Sequence, residues 1–167
     1  PPLDDVQYQQ LSQRFTEMNL ASLTGSVAAD ILDPETVATL RLLQAAGYPL
    51  YVSSSADPLE IRTGARALGL EGFFTEIMGS LPGFGKGAQH VAHVLEVQSA
   101  RREQLVFVGD EPTDVRLGNL AGVRTVARLG TCTLDVLLKE KPAAIISSLS
   151  ELPALLDQLG SERETTH

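Results

Sequence analysis

Two aspartates four residues apart follow an apolar run in the stretch VFVGDEPTDV, residues 106–115. Asp110 comes directly after Gly109, and Asp114 follows it with Glu111 between them. Carboxylate oxygens are the ligands that a hard cation such as Mg²⁺ prefers, usually with several waters retained. Taken alone, the two aspartates could equally be a helix N-cap and a solvated helix residue. The interpretation as a cation site therefore depends on what else the chain offers.

Hydroxyl and ammonium groups stand where two other apolar segments end. Ser53, Ser54 and Ser55 occur in YVSSSAD, and Lys86 lies in the glycine-rich stretch GSLPGFGKG. That stretch is not a nucleotide-binding P-loop, because Gly87 stands where the motif requires Ser or Thr. Alone, the serines would be a turn and the lysine a surface residue. Together with a cation held by carboxylates, they could surround a phosphate group.

The composition is that of an ordinary globular domain. The 167 residues are 43% hydrophobic and 20% charged, which is enough to bury a core. A net charge of -8 argues against nucleic acid as the main partner. No apolar run approaches the roughly 20 residues of a membrane span, and the first residues do not resemble a signal peptide. The single Cys132 fits a reducing compartment, so we expect a cytoplasmic protein without a membrane or nucleic-acid partner.

Strand-like and helix-like segments alternate from residue 34 onward. Asp33 and Pro34 mark the start of a helix, and Asp57 and Pro58 mark another. The predicted strands are PLYVSS, FFTEIMGS, QLVFVG, VRTVAR and AAIISS. The predicted helices include GKGAQHVAHVLEVQ, EPTDVRLGNLAG and SLSELPALLDQL. This order predicts an α/β fold, a three-layer sandwich with a parallel sheet and helices on both faces.

Ligands of such folds bind at the carboxyl ends of the strands. We expect parallel strands that end near Ser54, Gly79, Gly109 and Arg128. The serines, Lys86 and the aspartates would then converge at one edge of the sheet.

These residues carry a family resemblance. The stretches GYPLYVSSSADPLEIRTGARALGLEGFFTEIMGS, GKG and LVFVGDEPTDVRLGNLAGV resemble the haloacid dehalogenase (HAD) superfamily, mostly phosphatases, over roughly residues 34–157. The resemblance implies a Rossmann-like, HAD-like fold. It also implies a Mg²⁺-dependent phosphohydrolase that acts on a small phosphorylated metabolite through an aspartyl-phosphate.

The resemblance also implies roles for individual residues. Ser54 and Ser55 would bind the phosphate, with Ser53 as the close alternative to Ser54. Lys86 would bind and neutralise the transferring phosphoryl group. The Mg²⁺ ligand would be Asp110. A second acid, Asp114, would support the metal or the lysine as a catalytic residue. Glu111 occupies a variable position of the motif and is expected to contact the metal ligands rather than the metal itself.

The family's nucleophile motif, an apolar strand that ends in Asp-x-Asp, is missing from the chain. Its strand would lie in the middle of the sheet, between the strands that end at Ser54 and Asp110, and its absence would leave backbone groups unpaired. Three explanations stay open. The natural protein could carry the motif upstream, residues 26–32 with Asp30 could be a degenerate version, or the sheet could be rearranged or completed by another chain.

Residues 1–30 are then interpreted as a helical segment, the possible end of an inserted cap. Residues 31–160 form the α/β core, and residues 161–167 form a frayed tail. We expect these residues without the nucleophile motif to bind Mg²⁺ weakly and to show little turnover. The alternatives are a non-catalytic phosphate or metabolite binder and a purely structural or regulatory domain. His90 and His93 are expected on a solvated or half-buried helix face rather than in a metal site.

Overall fold

The computed structural model describes residues 33–164, and their side chains as far as residue 160. The segment interpreted as the end of a cap, residues 1–30, lies outside the described residues. So does the possible degenerate strand at residues 26–32, with Asp30.

Within the described residues, helices and strands alternate along the chain as predicted. The helices are α1 (Pro34–Ala45), α2 (Pro58–Ala67), α3 (Ala88–Val97), α4 (Pro112–Leu120), α5 (Leu134–Leu138) and α6 (Leu152–Glu164). The strands are β1 (Tyr51–Ser53), β2 (Glu76–Met78), β3 (Val106–Gly109), β4 (Arg124–Arg128) and β5 (Ala144–Ile146). Short 3₁₀ turns lie at Glu71–Phe73, Arg102–Gln104 and Leu149–Glu151. The first four strands end at, or one residue before, the predicted positions.

The helix starts follow the predicted local chemistry. The Asp33 carboxylate accepts a hydrogen bond from the Glu35 backbone N–H at 3.0 Å, and Asp57 accepts one from Leu59 at 2.8 Å. Each cap is followed by a proline in the first turn, where a missing N–H costs nothing. These caps stabilise the starts of two helices, and the residues that form them lie next to one another in the sequence.

Three elements differ from the prediction. The segment FFTEIMGS is not strand throughout, because a 3₁₀ turn ends at Phe73 and β2 begins only at Glu76. Helix α5 was not predicted, since five residues are too few to show a helical period. Helix α6 continues to Glu164, beyond the end of the predicted helix SLSELPALLDQL at Leu159.

All described strand pairs are parallel, and helices pack on both faces of β4. On β4, Val126 packs with Leu43 of α1 and Leu152 of α6. The next residue, Ala127, packs with α4 and α5 on the other face. Because successive strand residues point to opposite faces, these contacts define three layers. The predicted α/β architecture is confirmed. None of the described helices combines the length and the apolar character needed to cross a membrane.

The described strands form two hydrogen-bonded groups rather than one sheet. Strand β1 pairs with β2, and β3, β4 and β5 pair in that order, with no pairing between β1 and β3 among the described residues. A largely apolar cleft of about 490 Å³ is lined by residues of β1 and β3, including Ser53 and Phe107, and by residues of α1, α3 and α6. This cleft, called the central cleft below, lies between the two strand groups of the described residues. A space of this size is unusual, because protein cores are normally close-packed.

Candidate active site

The end of β3 is built around a glycine that a larger residue could not replace. A Cβ atom on Gly109 would lie 2.2 Å from Cβ of Asp114 and 2.6 Å from its Oδ2. The Asp114 carboxylate therefore lies directly over the strand end, where Oδ2 accepts a hydrogen bond from the Asp110 N–H at 3.3 Å. Helix α4 begins at Pro112, after Glu111 as its N-cap residue, and brings Asp114 back over the strand within one turn.

Lys86 and Asp114 form a close ion pair. The Lys86 Nζ lies 2.6 Å from Asp114 Oδ1, with side chains that are 20% and 6% exposed. Gly87 makes this approach possible, because its φ of +97° suits glycine and a Cβ there would lie 3.0 Å from Leu117 of α4. The glycine-rich loop thus delivers the ammonium group to a largely buried carboxylate.

A serine that the sequence did not single out joins this loop to the end of β1. The Ser80 hydroxyl donates to the Ser54 carbonyl at 3.0 Å and accepts from the Lys86 N–H at 3.2 Å. The Ser54 hydroxyl accepts a hydrogen bond from the Ala56 N–H at 3.1 Å, which fixes its orientation in the turn. Ser54 and Lys86 are therefore connected through Ser80.

The other two serines of the run point to different surroundings. The Ser53 hydroxyl lies 2.9 Å from Nδ1 of His90, on helix α3. Ser55 is exposed in the bend that follows. The structure thus separates three adjacent serines that the sequence presents as one set.

Asp110 contributes a half-buried carboxylate at the end of β3. Its Oδ2 accepts a hydrogen bond from the Thr131 hydroxyl, in the loop after β4. Both oxygens of Asp114 already have partners, Lys86 and the Asp110 N–H. The described residues contain no cluster of three or more acidic, histidine or cysteine side chains that could hold a metal. The donor set fits a Mg²⁺ ion that binds through one or two carboxylates and keeps its waters, and not an all-protein cage.

The two histidines of α3 differ from each other. His93 is half-buried, as expected, and its Nε2 lies 2.8 Å from Glu76 Oε2. The expectation was wrong for His90, which is only 1% exposed. Burial lowers the pKa of His90, although the nearby carbonyls of Gly79 and Phe84 act in the opposite direction. Neither carbonyl is a hydrogen-bond partner of Nε2 by geometry, and among the described residues this atom has none.

Sequence reasoning missed Ser80 and Thr131, and it considered His90 but expected it on a more exposed helix face. Ser80 follows the end of β2 directly, so its place at the sheet edge was a usable signal. The sequence offered no comparable signal for Thr131, which lies in a loop, or for the burial of His90 inside a helix. Their contacts depend on how distant segments pack.

Comparisons with known proteins agree with this fold. The family model described as haloacid dehalogenase-like hydrolase matches residues 7–128. A phosphoglycolate phosphatase from Neisseria meningitidis is 31% identical over 125 residues, which are 71% of this chain and 53% of that protein. One from Haemophilus influenzae is 23% identical over 160 residues, 92% of this chain and 69% of that protein. The chain thus spans about half the length of the Neisseria relative.

Solved structures show the same fold. A predicted phosphoglycolate phosphatase from Haemophilus somnus superposes with a TM-score of 0.75 at 22% identity, covering 92% of this chain and 68% of that one. A haloacid dehalogenase-like hydrolase from Streptococcus pneumoniae gives a TM-score of 0.73 at 23% identity, covering 93% and 77%. A Deinococcus radiodurans HAD family hydrolase with bound phosphate and sodium gives 0.69 at 23% identity, covering 77% and 60%. The chain belongs to the haloacid dehalogenase-like hydrolase family.

Proposed function

We propose that this chain carries the phosphate-binding part of a Mg²⁺-dependent phosphohydrolase that acts on a small phosphorylated metabolite. The observation that carries the proposal is the ion pair of Lys86 and Asp114 directly beside Asp110, at the carboxyl end of β3. Phosphoryl transfer needs positive charge held in a fixed place, more than it needs covalent chemistry from the protein. Relatives named phosphoglycolate phosphatases make 2-phosphoglycolate the first substrate to test.

Each residue of the site has a distinct role in this proposal. Lys86 neutralises the phosphoryl oxygens, and Asp114 holds its ammonium group in place rather than binding the metal itself. Ser54 supplies a hydroxyl and the adjacent turn to the phosphate, and exposed Ser55 contributes from the rim. Asp110 would hold Mg²⁺ with water, oriented by the Thr131 hydroxyl. Such an ion supplies charge neutralisation at a phosphoryl oxygen.

The attacking group is proposed to come from a strand that fills the central cleft. Support comes from one edge each of β1 and β3, which has no partner among the described strands, and from the apolar cleft that β1 and β3 line. Buried backbone donors and acceptors without partners cost on the order of 1–3 kcal/mol each, so an inserted parallel strand would be stabilised there. An aspartate at the carboxyl end of that strand would lie between Ser54 and Asp110, in line to form an aspartyl-phosphate.

A non-catalytic phosphate binder is the second candidate. It is favoured by the absence of Asp-x-Asp from all 167 residues. In that case the same pocket would bind phosphate without turnover.

Phosphate binding is the direct test of both candidates. Isothermal titration of inorganic phosphate, with Mg²⁺ present, should show binding by the 167-residue chain that is lost in Lys86→Ala. Lys139→Ala removes an exposed lysine on the C-terminal side of α5 and serves as the matched control. Equal binding by the wild-type chain and Lys86→Ala would overturn the proposed site. Turnover of 2-phosphoglycolate by a version that carries the Asp-x-Asp strand then separates the enzyme from the binder.

A further inference from the structure

The Lys86 loop is tied to the end of β1 by a second polar contact, independent of Ser80. The contact joins Ser53 Oγ to Nδ1 of His90 at 2.9 Å. His90 lies one helical turn after Lys86, near the start of α3, and its backbone N–H donates to the Gly85 carbonyl at 3.3 Å. Ser54 is thus linked through Ser80 to the start of the loop that carries Lys86. Ser53 is linked through His90 to the helix that follows the loop.

The His90 ring is held on its other side by the loop itself. The ring centroid of Phe84 lies 4.5 Å from that of His90, at an interplanar angle of 48°. Phe84 is fixed in turn by paired backbone hydrogen bonds with Leu81, at 2.8 and 2.9 Å. The imidazole therefore fills the space between β1, α3 and the loop, and its burial leaves little freedom to reorient.

We propose that His90 is a positioning residue that fixes Lys86 relative to the serines at the end of β1. The proposal rests on the phosphate site proposed above. A phosphate bound between Lys86 and the turn after β1 needs the ammonium group and the turn to lie at a fixed distance from each other. Small misplacements of such groups weaken binding even where every contacting residue is retained.

The chemistry of the ring suits a neutral imidazole in this role. A neutral ring can accept a hydrogen bond from the Ser53 hydroxyl at Nδ1, or donate one to that oxygen in the other tautomer. The charged or titratable groups that act on the ring are Glu76 of β2 and His93 of α3, and these two form a pair with each other. Protonating His90 would place a positive charge on a buried ring, which is unfavourable.

Three substitutions separate hydrogen bonding from packing. His90→Leu keeps an apolar side chain but removes the partner of Ser53. His90→Asn keeps a polar atom near the position of Nδ1 but loses ring volume. Ser53→Ala removes the partner hydroxyl and leaves the imidazole in place.

The measurement is the affinity for inorganic phosphate by isothermal titration, with folding checked by circular dichroism. We expect His90→Leu to weaken binding about 3- to 10-fold, the range that one hydrogen bond provides. His90→Asn should recover most of the affinity. Adding His90→Leu to Ser53→Ala should weaken binding little further, because both substitutions remove the same contact.

The outcomes distinguish this proposal from the phosphate site on which it rests. No phosphate binding by the wild-type chain would overturn both. Normal binding that depends on Lys86 but is unchanged in His90→Leu would overturn the positioning role alone. The same holds if His90→Asn binds more weakly than His90→Leu, because packing of the ring would then be its contribution. If His90→Leu does not fold, Ser53→Ala and His90→Asn still decide. The proposal expects Ser53→Ala to weaken phosphate binding and His90→Asn to retain most of it, and unchanged binding by Ser53→Ala would overturn the positioning role.

Discussion

The Lys86 ammonium, in the glycine-rich loop before α3, lies 2.6 Å from Asp114 Oδ1, in the first turn of α4. The carboxylate is the more buried of the two groups and also accepts the Asp110 N–H. A charge in this position needs its partner, because an isolated buried carboxylate is costly. The pair therefore links the stability of the fold to the geometry of the proposed site.

Removing either member of this pair should destabilise the protein, and removing both should cost less than the sum. We expect Lys86→Met to lower the free energy of unfolding by about 2 kcal/mol, since Asp114 then remains buried without its cation. The double variant Lys86→Met/Asp114→Asn should recover part of that loss. Urea denaturation of the four proteins measures the coupling. Additive effects would show that the contact contributes nothing to stability.

Gly109 should not tolerate a methyl group. The Cβ of Gly109→Ala would overlap the Asp114 side chain, so the aspartate must move away from Lys86. We expect a loss of about 1–3 kcal/mol of stability, as for other overpacked sites, together with loss of phosphate binding. Gly64→Ala, in the middle of α2 with open space around it, is the control and should stabilise by about 0.5–1 kcal/mol. A Gly109→Ala protein with normal stability and binding would contradict the described packing.

Mg²⁺ binding should depend on Asp110. Asp110→Asn is expected to abolish the weak Mg²⁺ affinity of the chain, because an amide is a poorer ligand than a carboxylate for a hard cation. The measurement is a Mg²⁺ titration followed by the amide signals of residues 109–114 in NMR spectra. Asp135→Asn, on the exposed start of α5, should bind like the wild type. Retained binding in Asp110→Asn would assign the ion to other residues.

Turnover should require an Asp-x-Asp motif, which does not occur in these 167 residues. The 167-residue chain is expected to show little or no Mg²⁺-dependent hydrolysis of 2-phosphoglycolate. A version that carries an apolar strand ending in Asp-x-Asp should hydrolyse it. If the unmodified chain turns over substrate and Asp30→Asn abolishes this, residues 26–32 supply the nucleophile. Turnover that survives Asp30→Asn but not Asp110→Asn would require another attacking residue.

Stability should fall as the pH drops below the ordinary histidine range. Burial lowers the pKa of His90 from its ordinary value of 6.5, so the unfolded chain takes up a proton before the folded one does. The contribution of this group is fully present above pH 6.5 and decreases as the pH falls toward the depressed value. For this single group, the free energy of unfolding cannot change by more than about 1.4 kcal/mol per pH unit.

Urea denaturation between pH 7.5 and 5 checks this dependence. The decrease should be smaller in His90→Asn than in the wild type, whereas His93→Asn should keep it. Equal decreases in all three proteins would show that groups other than His90 are responsible.

The sequence by itself determined the order of elements and the residues that begin them. Asp33 and Asp57 cap their helices through contacts two residues away, so these boundaries were readable locally. It also placed Ser54, Lys86 and the two aspartates near strand ends, because parallel strands carry their loops to one edge. Helix α5 and the short β2 were less predictable, since brief segments lack a clear period.

Only the tertiary structure decided how those side chains are used. Asp114 points to Lys86 instead of standing free beside Asp110, because Gly109 and Gly87 let two loops approach closely. His90 is buried and reaches Ser53 across 37 residues of sequence, a contact that no local pattern encodes. Local chemistry sets where an element begins, whereas long-range packing sets which neighbour each side chain meets.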